Sequence, residues 1–478
     1  MEAVTKFTPC PKAGVCGGCR YQEVPYAEQL ARKEARVRRL MGRFGPVLPI
    51  LGMDEPRHYR CKVQAAFGVD GRGRVISGVY QSGSHRIVAV DDCLIEDAGA
   101  DRIIRAVRQL MPKCKMPAYD ERRGTGFLRH VLVRVGRFTG EYMVVLVAAA
   151  PVFPGMKHFL KGLLETCPEI NTVVLNVNDR ATSMVLGQRE RVLYGKGWIE
   201  DEILGRRFRI SPRSFYQVNP VQTQALYQTA LDYAGLTGTE RVLDAYCGTG
   251  TIGICASDRA AQVAGVELNR DAVRDAIANA RRNGVRNCWF TCADAGEFME
   301  RSAEAGEGAD VVFLDPPRAG SDARFLASLL RSAPRRVVYI SCNPDTLARD
   351  TAVLVRGGYR VERVQPVDLF PFTEHVETVC ALSKLSEAKH HISVQVDMDE
   401  LDLTAAESKA TYEVIQAWVQ EKYGFHVTHL NIAKTKRKCG IIERQNYNLP
   451  KNKDSRSPET PKEKEEAIIE AFKAFRMI

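Results

Sequence analysis

Apolar and polar positions divide the chain into four stretches. Tyr26 to Phe44 is rich in charge and reads as a helix. Residues 46 to 210 read mainly as strands. Tyr59 to Val69 and Arg74 to Val90 flank the turn Asp70-Gly71-Arg72-Gly73, a hairpin signal. Phe127 to Val135 and Tyr142 to Ala149 flank another. From 211 to 385 the apolar runs VLDAYC, VAGVEL, VVFLDPP and VVYISCNP alternate with helical stretches. Such alternation predicts an α/β, doubly wound parallel sheet. Beyond 386, Thr404 and Glu407 form a capping pair for a helix ending near Gly424. A strand-like stretch and a basic loop follow, and Pro461 opens a final helix, so the region reads as a small α+β module. The expected domains are 1–45, 46–210, 211–385 and 386–478.

Composition narrows the classes. The 478 residues suggest about three domains at roughly 150 residues each. Hydrophobic residues at 45% and charged residues at 26% exclude a wholly disordered or collagen-like chain. No apolar run approaches the ~20 residues that span a bilayer. The start MEAVTKFTPC lacks a secretory pattern, so a cytoplasmic protein is expected. Lys and Arg number 68 against 58 Asp and Glu, giving +10. Residues 386–478 hold 15 of each sign, so the excess sits in 1–385. It favours a polyanionic partner. Fourteen cysteines without a secretory signal point to metal binding, thiolate chemistry or burial rather than disulfides.

The run from Val242 to Gly253 ends a strand in a loop with glycines at 248, 250 and 253. The next strand ends at Glu267, 23 residues after Asp244, a spacing suited to ribose hydroxyls. The glycines also satisfy the dinucleotide G-x-G-x-x-G pattern. Asp244 before the loop and Asp315-Pro316-Pro317 at a later strand end favour S-adenosylmethionine instead, because acids suit a cationic sulfonium better than a phosphate. An ordinary strand-to-helix turn is the bland alternative.

After the fourth strand comes Ser341-Cys342-Asn343-Pro344. A lone cysteine is most often a small buried residue. Its place beside the Asp315 strand end, with Glu377 as a second strand-end acid, raises a nucleophile reading. A thiolate adding to carbon 6 of uracil makes carbon 5 enolate-like and able to take a sulfonium methyl. A base must then remove the carbon 5 proton so that the cysteine can leave.

Residues 1 to 385 resemble the bacterial 23S rRNA (uracil-5-)-methyltransferases, kin of the tRNA (uracil-5-)-methyltransferases. The resemblance rests on CPKAGVCGGC, SFYQVNPVQ, LDAYCGTGTIG, FLDPPRAG, YISCNP and FPFTEHVET. It implies a class I methyltransferase fold with a β-rich RNA-binding domain, and an activity on a uridine of 23S rRNA. It implies Cys342 as nucleophile and Glu377 as base. It implies S-adenosylmethionine contacts at Gln217, Tyr246, Glu267, Asp294 and Asp315. Thr251 stands where some members have Asn, and carries no expected role. Cys247 reads as structural. Arg318 replaces the aromatic residue of DPPY-type enzymes and disfavours methylation of an exocyclic amine.

Cys10, Cys16 and Cys19 follow C-x5-C-x2-C, which suggests a metal or cluster with a distant fourth ligand. Zinc sites usually show two close pairs, and no second pair is present. The resemblance implies a [4Fe–4S] cluster with Cys93 as fourth ligand. Many members carry an RNA-binding TRAM barrel before the cluster; nine residues precede Cys10, so that barrel is expected to be missing. The central strands, cluster segment and methyltransferase face are then expected to hold the RNA. Lys434 to Arg456 carries eight basic and two acidic residues and is expected either to supplement RNA binding or to be a solvated loop. The same chemistry on transfer RNA, a catalytically idle RNA binder and an amino methyltransferase are the alternatives. No obligate protein partner is evident.

Overall fold

The computed structural model describes residues 9–180, 184–385, 412–439 and 461–474. The chain divides into two units, Met1–Ser386 and Glu387–Ile478.

In the first unit, the cysteine segment leads into α1 (Tyr26–Met41). Gln29, Lys33, Val37 and Met41 form its buried stripe, one residue per turn. The helix stops at Gly42, three residues short of the expected Phe44, where glycine weakens the helix. Next come β1 (Lys62–Val69), β2 (Val75–Tyr80), β3 (Ile87–Ala89), α2 (Ala98–Lys113), β4 (Leu128–Val135), β5 (Tyr142–Ala148), α3 (Met156–Thr166), β6 (Ile170–Val177) and β7 (Arg189–Tyr194). The strands form one sheet in the order β3-β2-β1-β4-β5-β6-β7. Asp70 accepts from the backbone N–H of Arg72 and Arg74 and closes the β1–β2 turn.

Two helices, α2 and α3, lie within the stretch that the pattern reads mainly as strands. Pairing β5 with β6 in parallel needs a crossover, and α3 supplies it. Ile103 and Val107 of α2 and Phe159 and Leu163 of α3 share a core with Val131, Val133, Val144 and Leu146 of the sheet. The alternate residues Leu132, Met143, Val145 and Val147 join a second core. That core takes in the hairpin β8 (Ile199–Ile203) and β9 (Arg206–Ile210), then α4 (Pro220–Ala234).

The second large sheet uses β10 (Arg241–Ala245), α5 (Thr251–Ala256), β11 (Gln262–Glu267), α6 (Arg270–Arg282), β12 (Cys288–Cys292), α7 (Ala295–Glu304), β13 (Val311–Leu314), α8 (Ala323–Ser332), β14 (Arg336–Ser341), α9 (Pro344–Arg356), β15 (Tyr359–Val367) and β16 (Glu377–Lys384). Its order is β12-β11-β10-β13-β14-β16-β15. The expected α/β, doubly wound arrangement is what the structure shows. The strand order reverses between β10 and β13, the switch point where such sheets bind ligands. The sheet is not wholly parallel, because β16 runs antiparallel to β14 and β15. Glu377 therefore begins its strand rather than ending one. Reversal of β16 brings it to the same sheet edge as the parallel strands' C-terminal ends.

The described residues of the second unit hold three helices and no strand: α10 (Tyr412–Tyr423), α11 (His429–Lys438) and α12 (Lys462–Ala474). Ile415, Val419, Ile432, Ile468 and Phe472 are its core. The strand-like stretch expected after Gly424 is instead the lead-in to α11. Thr428 and Asn431 cap that helix reciprocally, each side chain accepting from the other's backbone N–H. Thr404, Glu407 and most of the basic stretch 434–456 lie outside the described residues. Among the described residues, no helix is long and apolar enough to cross a membrane.

Candidate functional site

The loop after β10 is held open by its own backbone. Gly250 has φ +78°, and a Cβ there would come within 2.8 Å of the Phe290 ring. The Gly253 N–H donates to Asp244 Oδ2 at 2.8 Å, and a Cβ on Gly253 would press on that carboxylate. Glu267, at the tip of β11, accepts from the N–H of Gly248 at 3.2 Å and of Asn269 at 2.8 Å. One carboxylate thus straps the loop to the next strand.

Asp315 follows β13 and is pushed up to about 7 by burial alone. Asp244 also rises to about 7, first through burial, with Asp315 and Glu267 adding to it and the Gly253 N–H opposing. Three acids thus converge on the switch point. Groups so placed favour a positively charged ligand.

Two further groups stand beside them. The β14–β16 register ends on Ser341 with Thr378, and the next residues, Cys342 and Glu377, lie within charge range of each other. Burial, with Asp315 adding to it and Arg318 opposing, lifts the Glu377 carboxyl to about 8. Cys342 is half-buried; burial, Glu377 and Asp315 push its thiol up to about 11, against Arg318. Asp315 therefore acts on both Cys342 and Glu377, Glu377 acts on Cys342, and Arg318 is the cation common to Cys342 and Glu377. The loop after β14 is preset by Ser341 Oγ, which accepts from Asn343 N at 3.1 Å.

A thiol, a buried carboxyl and a sheet-edge acid cluster at this site, on a fold that recurs in known enzymes. Residues 25–385 match the family described as tRNA (Uracil-5-)-methyltransferase. The chain belongs to that family. It is 45% identical over 378 residues to an RNA methyltransferase of Oceanobacillus iheyensis, spanning 78% of this chain and 82% of the relative. Identity to an RNA methyltransferase of Halalkalibacterium halodurans is 44% over 379 residues, 78% and 82% of the two chains. The crystal structure of Pyrococcus abyssi tRNA (uracil-54, C5)-methyltransferase with S-adenosyl-L-homocysteine superposes with a TM-score of 0.63 at 27% identity. It covers 77% of this chain and 86% of that one.

In this uracil-5 methyltransferase family member the remaining expected residues lie as follows. Gln217 is buried in the segment before α4. That segment is pinned by Cys61 N–H to Val218 O at 2.7 Å and by Asn219 Nδ2 to Leu369 O at 3.0 Å. Two residues before Gln217, Phe215 is 63% exposed. Tyr246 takes φ +62° in the loop, and its ring packs on Phe325 with centroids 5.5 Å apart. Asp294 caps α7, accepting from Glu297 N at 3.0 Å. Thr251 bonds to the Tyr227 hydroxyl at 3.1 Å, and Cys247 is buried.

Sequence reasoning missed two participants. Arg318 was weighed only as a missing aromatic, yet its backbone O accepts from Asn343 Nδ2 at 3.1 Å and its charge faces the thiol and the carboxyl. Its place directly after Asp315-Pro316-Pro317 was the available signal. Arg134, a fully buried charge on β4, donates to the carbonyls of Ser211 and Ser214 and so fixes the start of the Phe215–Gln217 segment. Nothing local marks it, since its partners lie 77 and 80 residues away.

Cys10, Cys16, Cys19 and Cys93 line one cavity of about 420 Å³, with Arg60, Lys62, Glu96 and Phe372. Backbone N–H groups of Lys12 and Gly18 donate to Cys10 and Cys16 sulfur at 3.4 and 3.3 Å. Burial pushes the Cys19 thiol up to about 12, with Cys16 adding to it. Among the described residues, no three His, Cys, Asp or Glu side chains converge closely enough for a single metal ion. All four cysteines nevertheless border the same cavity. Such spacing suits a polynuclear centre more than a mononuclear one, and N–H···S bonds with cationic walls suit an anionic one.

Proposed function

We propose that this protein methylates carbon 5 of a uridine in 23S rRNA, with S-adenosylmethionine as donor. The observation that carries the chemistry is that Cys342, just past the end of β14, lies within charge range of Glu377, the first residue of β16, and of Asp315. S-adenosylmethionine supplies a methyl group activated on a cationic sulfonium. Asp315, Glu267, Asp294, Gln217 and the Tyr246 loop form its binding edge, and the converging acids match its charge.

Cys342 adds as thiolate to uracil carbon 6, forming a C–S bond while the carbon 5–6 double bond opens. The electron pair becomes available at carbon 5, which takes the methyl. Glu377 then removes the carbon 5 proton. The freed pair restores the double bond and expels the Cys342 thiolate. The balance is uridine and S-adenosylmethionine to 5-methyluridine, S-adenosylhomocysteine and a proton. Arg318 favours both ionised forms, thiolate and carboxylate. The exposed Phe215 ring offers a face for an unstacked base, as enzymes acting on bases require.

A [4Fe–4S] cluster would be held by Cys10, Cys16, Cys19 and Cys93, a reading that rests on their shared cavity. No step above needs electron transfer, so the cluster's role would be structural or RNA-contacting. Transfer RNA is the second reading for the substrate, favoured by the Pyrococcus abyssi enzyme's own substrate.

Methyl-labelled S-adenosylmethionine with rRNA and tRNA from cells lacking the gene tests both. Label in 5-methyluridine of rRNA, abolished by Cys342→Ala, is expected. Label confined to tRNA keeps the chemistry and overturns the substrate. Label in an exocyclic amine, surviving Cys342→Ala, overturns the chemistry.

A further inference from the structure

The loop from Asp368 to Val376, which delivers Glu377 to the sheet edge, makes few of its bonds with the sheet that carries Glu377. It is gripped by the N-terminal segment instead. The N–H groups of Arg20 and Tyr21, directly after Cys19, both donate to Phe372 O, at 3.2 and 2.9 Å. Phe372 N donates to Gln29 Oε1 at 2.7 Å, and the buried Gln29 amide is itself fixed by Val24 O at 2.7 Å. Tyr59 Oη donates to Pro371 O at 3.0 Å, and Lys33 Nζ donates to Phe370 O at 2.9 Å. Every one of these partners lies in residues 20–59.

Phe372 meets the cysteines as well. Its ring is buried, lines the cysteine cavity and packs with Tyr59, Ile95, Cys19 and Cys93. Its backbone is held at φ +65°, a conformation costly for any residue but glycine. Strain of this kind persists only where the surroundings over-determine it. Here they are the two N–H donors after Cys19, the Gln29 amide and the cavity wall. Glu377 lies five residues further on.

We propose that Phe372 is a positioning residue that couples the cysteine cavity to the catalytic base: the filled cavity orders Cys19 to Tyr21, these hold Phe372, and Phe372 sets Glu377. The inference rests on the reading of Glu377 as base. Cys342 directly follows β14 and the cofactor loop follows β10, outside this chain of contacts. Loss of the coupling therefore slows proton removal while thiol addition and cofactor binding continue. The distinguishing signature is a Cys342–RNA adduct that accumulates as turnover falls.

The test uses full-length protein purified without oxygen. Iron and sulfide content, S-adenosylhomocysteine affinity, turnover and the fraction of protein covalently bound to RNA are measured together. Phe372→Val places a β-branched residue at a positive φ. It is expected to raise the adduct-to-turnover ratio about tenfold or more, with S-adenosylhomocysteine affinity unchanged. Phe372→Gly accepts the backbone conformation and is expected to return the ratio toward wild type. Oxidative removal of the iron is expected to reproduce the Phe372→Val ratio, with no further rise in the iron-free variant. Adduct and turnover falling in equal proportion, or a ratio unmoved by iron removal, overturns the coupling. Glu377→Gln is the control. If that variant forms no adduct while wild type turns over, the reading of Glu377 itself has failed, and the inference with it.

Discussion

Lys33 and Asp368, 335 residues apart in sequence, form a buried ion pair with Nζ 2.6 Å from Oδ1. Lys33 comes from α1 and Asp368 opens the loop that leads to Glu377. Burial lowers the Lys33 ammonium below its ordinary range, and Asp368 opposes that shift. The pair joins the N-terminal helix to the catalytic edge, and both side chains are almost wholly removed from water.

Removing one partner leaves an uncompensated buried charge. Lys33→Met is expected to destabilise the first unit by about 3–5 kcal/mol, and Lys33→Met with Asp368→Leu by much less. Chemical denaturation of the two variants checks this. Equal losses in both would mean that Lys33 contributes through its methylene packing and not through its charge.

Glu377→Gln separates function from stability. Loss of the base is expected to reduce turnover by about 10²–10⁴. The carboxyl titrates near 8 in the fold against 4.5 ordinarily, because it is buried beside Asp315. Its folded pKa is raised, so its favourable contribution is complete below about pH 4.5 and is lost as pH climbs through about 8. Glutamine cannot ionise. The variant is therefore expected to melt above wild type at pH 8.5 and close to it at pH 4.5. A melting difference that does not grow with pH would remove burial as the cause.

Asp315, Asp244 and Glu377, at about 7, 7 and 8, ionise more fully as pH rises from 6 to 9. A cationic sulfonium gains from each ionisation, whereas the neutral thioether of S-adenosylhomocysteine does not. The affinity for S-adenosylmethionine relative to S-adenosylhomocysteine is expected to rise about tenfold for each pKa unit by which the sulfonium lowers these groups. Calorimetric titrations of both ligands at pH 6, 7.5 and 9 measure it. A constant ratio would mean that the acids do not face the sulfonium.

Phe215 is the residue to change for RNA alone. Its ring is 63% exposed, so Phe215→Ala is expected to leave the melting temperature unchanged. Losing one stacked base weakens single-stranded RNA contacts by about 1–3 kcal/mol. The KM for RNA is expected to rise accordingly while cofactor affinity stays constant. Unaltered RNA kinetics would place the target base elsewhere.

Much of this was legible in local pattern. Strand-ending acids, the glycine loop after Asp244 and the turn at Asp70 each depend on a few neighbouring residues, and a glycine or a short apolar run states its backbone preference directly. The doubly wound sheet follows from the alternation of apolar runs and helical stretches. The reversal of β16 was not legible, because an eight-residue strand has the same side-chain period in either direction. The two helices over the central sheet lie where the pattern reads mainly as strands, and the lead-in to α11 lies where a short apolar stretch reads as a strand.

The sequence by itself determined which chemistry-bearing residues exist and which local shapes present them: a Cys342 strand end, a Glu377 strand boundary, a three-cysteine segment with Cys93 further along. Only the tertiary structure decided their company. Antiparallel β16 brings Glu377 within charge range of Cys342, Arg318 lends both its charge, and one cavity gathers cysteines up to 83 residues apart. It also decided that Phe372 is held by residues 20–29 rather than by its own sheet. The reason is physical. Periodicity and capping act over a few residues, whereas burial, charge proximity and register depend on which segments pack together, and packing is settled by the whole chain at once.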